Sequence, residues 1–138
     1  LGCRQHLRRL IVLDTHAWLW WASDAENLSQ VAQSEIADAD VIGVSAISAL
    51  ELARLGVKGR LVFDDVDRWI IEALRFDPRI IELPVTSGVA LRAVELLRRG
   101  LLGDPNDQII LATAQLQAAR LVTADRQLHE FAPDTTTW

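Results

Sequence analysis

The chain has one cysteine, Cys3, and no methionine in 138 residues. A lone thiol excludes a disulfide framework, so a packed core has to hold the fold. The missing methionine predicts a trimmed or processed start. Residues 1–9 are accordingly set aside as an N-terminal extension, expected to be disordered or foreign to the domain. Long apolar runs are absent too: residues 10–13 and 41–44 end at acids or turn residues, well short of the ~20 residues that cross a bilayer. Arg4, Arg8 and Arg9 are followed by no long apolar stretch, so a cleavable secretory signal is not expected and a cytoplasmic setting is. Positive charge is in deficit, with 14 Lys and Arg against 19 Asp and Glu and a formal charge of −5. That excludes a protein that coats nucleic acid by bulk positive charge, because counterion release needs many cationic contacts. It leaves open a protein whose carboxylates hold a cation, since the bound ion reverses the local sign where a phosphate approaches.

What is present is ordinary for one globular domain: 50% hydrophobic and 24% charged residues, enough to bury a core in the span 10–138. From Leu10 onward, short β-branched runs alternate with segments of helical period, the signature of a parallel sheet flanked by helices, hence an α/β fold. Strands are expected at 10–13, 41–44, 80–83 and 121–123, with an edge strand in the tail at 135–138. Helices are expected after Ser29, from Ser45 to near Gly56, over 64–74, from Thr86 to Arg99, from Asp104-Pro105 to Ala119, and over 126–131. Ser29, Thr86 and Asp104 are natural N-caps, and Pro105 suits the first helical position.

Ligands of open α/β sheets bind beyond the carboxyl ends of the strands, and this chain places acids there repeatedly. Asp14 follows the first strand, Asp125 lies just past the fourth, and Asp104 and Asp107 open the helix that leads into the fourth. Glu51 lies about two turns into the helix after the second strand, within reach of the same edge. Converging carboxylates repel unless protons or cations intervene, and an all-oxygen set favours Mg²⁺ or Mn²⁺ over Zn²⁺. Such an ion can activate a water and clamp the oxygens of a phosphodiester during in-line displacement. Hydrolysis of a phosphodiester is the reaction that suits the set.

At these residues the sequence resembles the PIN-domain nucleases, and in particular the VapC-type toxins of toxin–antitoxin modules. The matching stretches are Leu13-Asp14-Thr15-His16-Ala17 with Trp20-Trp21, then Ser45 to Leu52, then Asp104-Pro105-Asn106-Asp107-Gln108 with Leu111 to Ala114, and finally Leu121-Val122-Thr123-Ala124-Asp125. The resemblance implies a three-layer fold with a central, mainly parallel sheet of four to five strands. It implies that Asp14, Glu51, Asp107 and Asp125 hold one or two Mg²⁺ or Mn²⁺ ions, with Asp104 an accessory ligand. Thr15 and Thr123 would orient neighbouring acids or a water. The implied activity is endonucleolytic RNA cleavage leaving a 5′-phosphate and a 3′-hydroxyl. A homodimer and an inhibitory antitoxin are the implied partners. Leu50, Asn106 and Gln108 depart from the family's usual Trp, Phe and Arg.

Each residue also has a plainer reading. Asp104 reads first as a helix cap, and Asp107 could be a first-turn acid favoured by the helix dipole. His16 reads as packing or local hydrogen bonding. Trp18 and Trp21 share a helical face, with Trp20 pointing elsewhere; burial in the core or against a partner subunit is the plainer reading and stacking on an unpaired RNA base the functional one. Arg92, Arg98, Arg99, Lys58 and Arg60 read as solvated charge with a possible role at phosphates. Two competing functions remain open, a phosphoryl-transfer domain using Asp14 as nucleophile and a non-catalytic binding module that keeps the fold.

Overall fold

A computed structural model describes residues 8–138, and Cys3 and the rest of 1–7 lie outside the described residues. Five parallel strands, β1 Leu10–Leu13, β2 Val41–Ser45, β3 Ile80–Leu83, β4 Arg120–Val122 and β5 Thr136–Thr137, form one sheet in the order β3-β2-β1-β4-β5. Around it run α1 Thr15–Ser23, α2 Gln30–Asp38, α3 Ala46–Val57, α4 Val66–Ala73, α5 Ser87–Arg98, α6 Pro105–Leu116 and α7 Arg126–Phe131.

The run Leu10–Leu13 is apolar throughout because β1 is covered on both faces. Successive strand residues point to opposite sides. Ile11 and Leu13 therefore join Ile42 and Val44 under α1 to α4, against Trp18, Ile36, Leu52 and Ile70. Val12 joins Leu121 on the other side, under α5, α6 and α7, against Val89, Leu96, Leu111 and Leu128. Helices, sheet and helices make the three layers expected. Trp18 is fully buried and its indole N–H donates to the Ala73 carbonyl at 3.0 Å, so its polar end is satisfied inside the core.

Small departures from the expected boundaries have local causes. Backbone pairing begins at Arg9, whose N–H donates to the Asp40 carboxylate at 2.7 Å and whose carbonyl accepts from Asp40 and Val41. The fourth strand ends at Val122 rather than Thr123. Thr123 still donates its backbone N–H to Thr137 at 3.1 Å, but the chain turns there into α7. The tail does add an edge strand, and it runs parallel to β4.

Candidate active site

The carboxyl ends of β1 and β4 lie side by side, Leu13 opposite Val122, so the residues that follow them meet. Asp14 caps α1: one carboxylate oxygen accepts the Ala17 N–H at 2.8 Å, and the other accepts the Thr123 hydroxyl in a short bond. Asp125 caps α7, accepting the Leu128 N–H at 3.1 Å, while its own N–H donates to the Thr123 hydroxyl oxygen at 3.1 Å. Thr123, fully buried, therefore ties the two acids together. Asp104 caps α6 through the Asn106 N–H at 2.8 Å and is exposed. Asp107 stands in the first turn of α6, and Glu51 in the second turn of α3.

These five carboxylates line one cavity of about 490 Å³, together with Thr15, His16, Trp20, Ile110 and Ala124. All the acids singled out in the sequence thus face the same space. Three helices, α1, α6 and α7, begin at it, and their N-terminal partial positive charges offset part of the repulsion among the acids. Among the described residues no Lys or Arg lines the cavity. Arg92 donates to Gln115, and Arg98 and Arg99 pair with Glu95, so these three do not ring the cleft.

The electrostatics register the crowding. Burial pushes the Asp14 carboxyl above its ordinary value, and the Thr123 hydroxyl, the Ala17 N–H and His16 pull it back in part. Asp107 is pushed up to about 7, first by burial and then by Asp125, Asp104, Glu51 and Asp14. A carboxyl raised to about 7 by burial and by four like charges sits where a cation would be favoured most. Among the described residues no three His, Cys, Asp or Glu side chains are gathered tightly enough to hold an ion. The fit to Mg²⁺ or Mn²⁺ therefore rests on donor chemistry, oxygen ligands only around one cavity, with the side chains spread along its wall.

Thr15 and its neighbours behave less directly than expected. The Thr15 hydroxyl, buried, donates to Ser48 at 2.9 Å, so it braces α1 against α3 one turn before Glu51 rather than touching an acid. Ser48 was not singled out in the sequence, although its place one turn before Glu51 is the signal that could have found it. His129 was missed too. Its Nε2 stands 2.6 Å from the Thr123 carbonyl and its Nδ1 3.1 Å from the Thr136 hydroxyl, so Nε2–H donates to the carbonyl and the ring links β5 to the residue that holds Asp14. His16 is exposed at the cavity, not packed away.

Comparison with known proteins places these features in context. The PIN domain family matches residues 11–133. Ribonuclease VapC22 of Mycobacterium tuberculosis is 35% identical over 131 residues, covering 93% of this chain and 98% of that protein. Among solved structures, a DNA-bound VapBC from Salmonella typhimurium superposes with a TM-score of 0.66 at 18% identity, covering 95% of this chain and 98% of that one. VapC20 of M. tuberculosis, described as a toxin that cleaves the sarcin–ricin loop, gives a TM-score of 0.62 at 17% identity, over 89% of this chain and 93% of that one.

Proposed function

Because this chain belongs to the PIN-domain family, we propose that it is a metal-dependent endoribonuclease and the toxin of a toxin–antitoxin pair. The single observation that carries the reading is the ring of five carboxylates around one cavity at the carboxyl edge of the sheet. In this reading Asp14, Glu51, Asp107 and Asp125 hold one or two Mg²⁺ or Mn²⁺ ions, with Asp104 as an accessory ligand. When bound, such an ion lowers the pKa of a water and neutralises charge on the scissile phosphodiester.

The chain's own residues prepare that chemistry. Thr123 keeps Asp14 oriented and, by donating to it, favours its anionic form. The same hydroxyl accepts from the Asp125 N–H, fixing the spacing of the two acids. Asp107, pushed up to about 7 by burial and by the neighbouring acids, would hold the cation in its deprotonated form. The Thr15–Ser48 bond holds the α1 and α3 walls at a constant separation. The products are a 5′-phosphate and a 3′-hydroxyl.

RNA, an antitoxin and a second copy of the chain are the proposed partners. Ribonuclease VapC22 and the VapBC complexes support the first two. Exposed Leu91, Val94 and Leu97 on α5 and exposed Leu50 and Val57 on α3 offer two apolar surfaces for protein partners to cover. Among the described residues no helix is long and apolar enough to cross a membrane, and we place the protein in the cytoplasm with its substrate. The domain is taken as 10–138.

The test is cleavage of cellular RNA by purified protein with Mg²⁺ or Mn²⁺. Cleavage that stops in EDTA and in Asp14→Asn and Asp125→Asn, each still folded, supports the reading. Cleavage that survives EDTA overturns it, and a folded protein that binds RNA without cutting it is the binding module instead.

A further inference from the structure

The cavity lining mixes two unlike kinds of side chain: five acids and, on α1, the rings of His16 and Trp20. We propose that Trp20 and His16 are a stacking platform for one unpaired base of the RNA, next to the phosphodiester held at the acids. The proposal rests on the nuclease reading and adds the part of the substrate that the acids cannot recognise.

The three tryptophans of α1 have different surroundings. Trp18 is fully buried with its N–H on Ala73. Trp21 is half-buried against Phe76, ring centroids 4.6 Å apart. Trp20 alone of the three lines the cavity. It has two aromatic neighbours, Trp138 at 5.7 Å and 54° and His16 at 5.6 Å and 52°, and packs in part against the core. His16 and Trp20 are four residues apart and so share one face of the helix. His16 is exposed although its neighbours Thr15 and Ala17 are buried. A ring held this way presents its surface at little cost in side-chain entropy, because packing has already fixed it.

Charge gives the second argument. A single strand is usually held by cationic side chains along its backbone. Among the described residues no Lys or Arg lines the cavity, and a cation among the acids would answer for the scissile phosphate only. Base–aromatic stacking is the further contact that Trp20 and His16 provide. Placement agrees: Trp20 stands six residues along the helix that Asp14 caps, so the platform and that acid are held by one rigid element. In a duplex both faces of a base are covered, so the platform accepts a splayed, unpaired base and selects by pairing state more than by base identity.

The experiment is a cycle between protein and substrate. A short unstructured RNA is cut by the wild-type protein with Mg²⁺ or Mn²⁺, the cut site is mapped, and single abasic riboses are placed at each nucleotide flanking it. One abasic position is expected to lower kcat/KM about 10-fold, or about 1.4 kcal/mol, within the range of base–aromatic stacking. Trp20→Leu is expected to lose a similar factor on the intact RNA, mostly in KM, and to lose nothing more at that abasic position. Trp20→Phe keeps most of the activity, and His16→Ala shows a smaller abasic penalty than wild type. Wild-type kcat/KM in a folded Trp20→Leu protein, or penalties that simply multiply, overturns the platform. Should Trp20→Leu fail to fold, His16→Ala decides, and an abasic penalty equal to that of wild type overturns it. Wild-type protein that cuts no RNA with either cation overturns the nuclease reading and the platform with it, whereas cutting without the cycle overturns the platform alone.

Discussion

Replacing Asp107 by Asn should make the metal-free protein more stable at neutral and alkaline pH while ending its activity. The Asp107 carboxyl rises from 3.8 to about 7 in the fold. Below about 4 it is protonated in both folded and unfolded chains and costs nothing. Between about 4 and 7 the unfolded chain ionises first, so stability falls as pH rises, and above 7 the full cost is present. Three pK units at 1.36 kcal/mol each give about 4 kcal/mol as an upper bound. Asp107 is only half-buried and lies in the first turn of α6. Solvent screening and the helix dipole therefore reduce the net cost to about 1–2 kcal/mol. Asn keeps the shape and removes the charge. In EDTA at pH 8 the variant should melt roughly 3–8 °C above wild type, at a few degrees per kcal/mol for a domain of this size. At pH 4 the two should coincide. The difference between variant and wild type isolates this residue from the other titrating acids. A difference that is flat from pH 4 to pH 8, or wild type the more stable at pH 8, refutes the reasoning.

Three further outcomes follow from the same geometry. Mg²⁺ at ten times its dissociation constant should stabilise wild type by about 1.4 kcal/mol by mass action, read as a rise in melting temperature that Asp14→Asn reduces; equal shifts in the two proteins would remove Asp14 from the site. His129→Leu takes the N–H from the Thr123 carbonyl and should lower kcat about 10-fold with KM little changed, whereas His129→Gln can restore a donor; indistinguishable rates for the two variants would assign His129 to folding alone. Asp125→Ala should cost about 1 kcal/mol more stability in metal-free protein than Asp125→Asn, because Asn can still accept the Leu128 N–H; equal denaturation midpoints would mean the cap is unimportant.

The sheet and the acids at its edge were legible because they depend on local pattern. An apolar run ended by an acid places that acid at a carboxyl edge in whatever order the strands assemble, and Asp14 and Asp125 satisfy this. What was not legible depends on register between distant strands. That Thr123 orients an acid was implied by the resemblance, but which acid was not: the Thr123–Asp14 bond spans 109 residues and exists because Leu13 stands opposite Val122. His129 reaches Thr136 only because β5 adds in parallel beside β4. His16, read as packed or locally hydrogen-bonded, lies two positions before the buried Trp18 and so on the opposite side of α1, where it is exposed and its ring meets that of Trp20. Trp20 read correctly as pointing away from its two neighbours, but a helical wheel does not say that the other side is a cavity.

The plainer readings of the acids also turn out not to compete with the functional ones. Asp14, Asp104 and Asp125 each cap a helix through one carboxylate oxygen, which contributes about 1 kcal/mol apiece to the fold. Their presence is therefore accounted for twice over, and the fold alone would justify them. Asp107 is different. Its place in the first turn of α6 is worth about 0.3–1 kcal/mol from the helix dipole, less than the cost of holding its charge beside four other acids. The fold would be better served by Asn there. Unlike the three caps, Asp107 is an acid whose presence stability does not explain, and in the proposed function a cation shared with its neighbours would turn that cost into a gain.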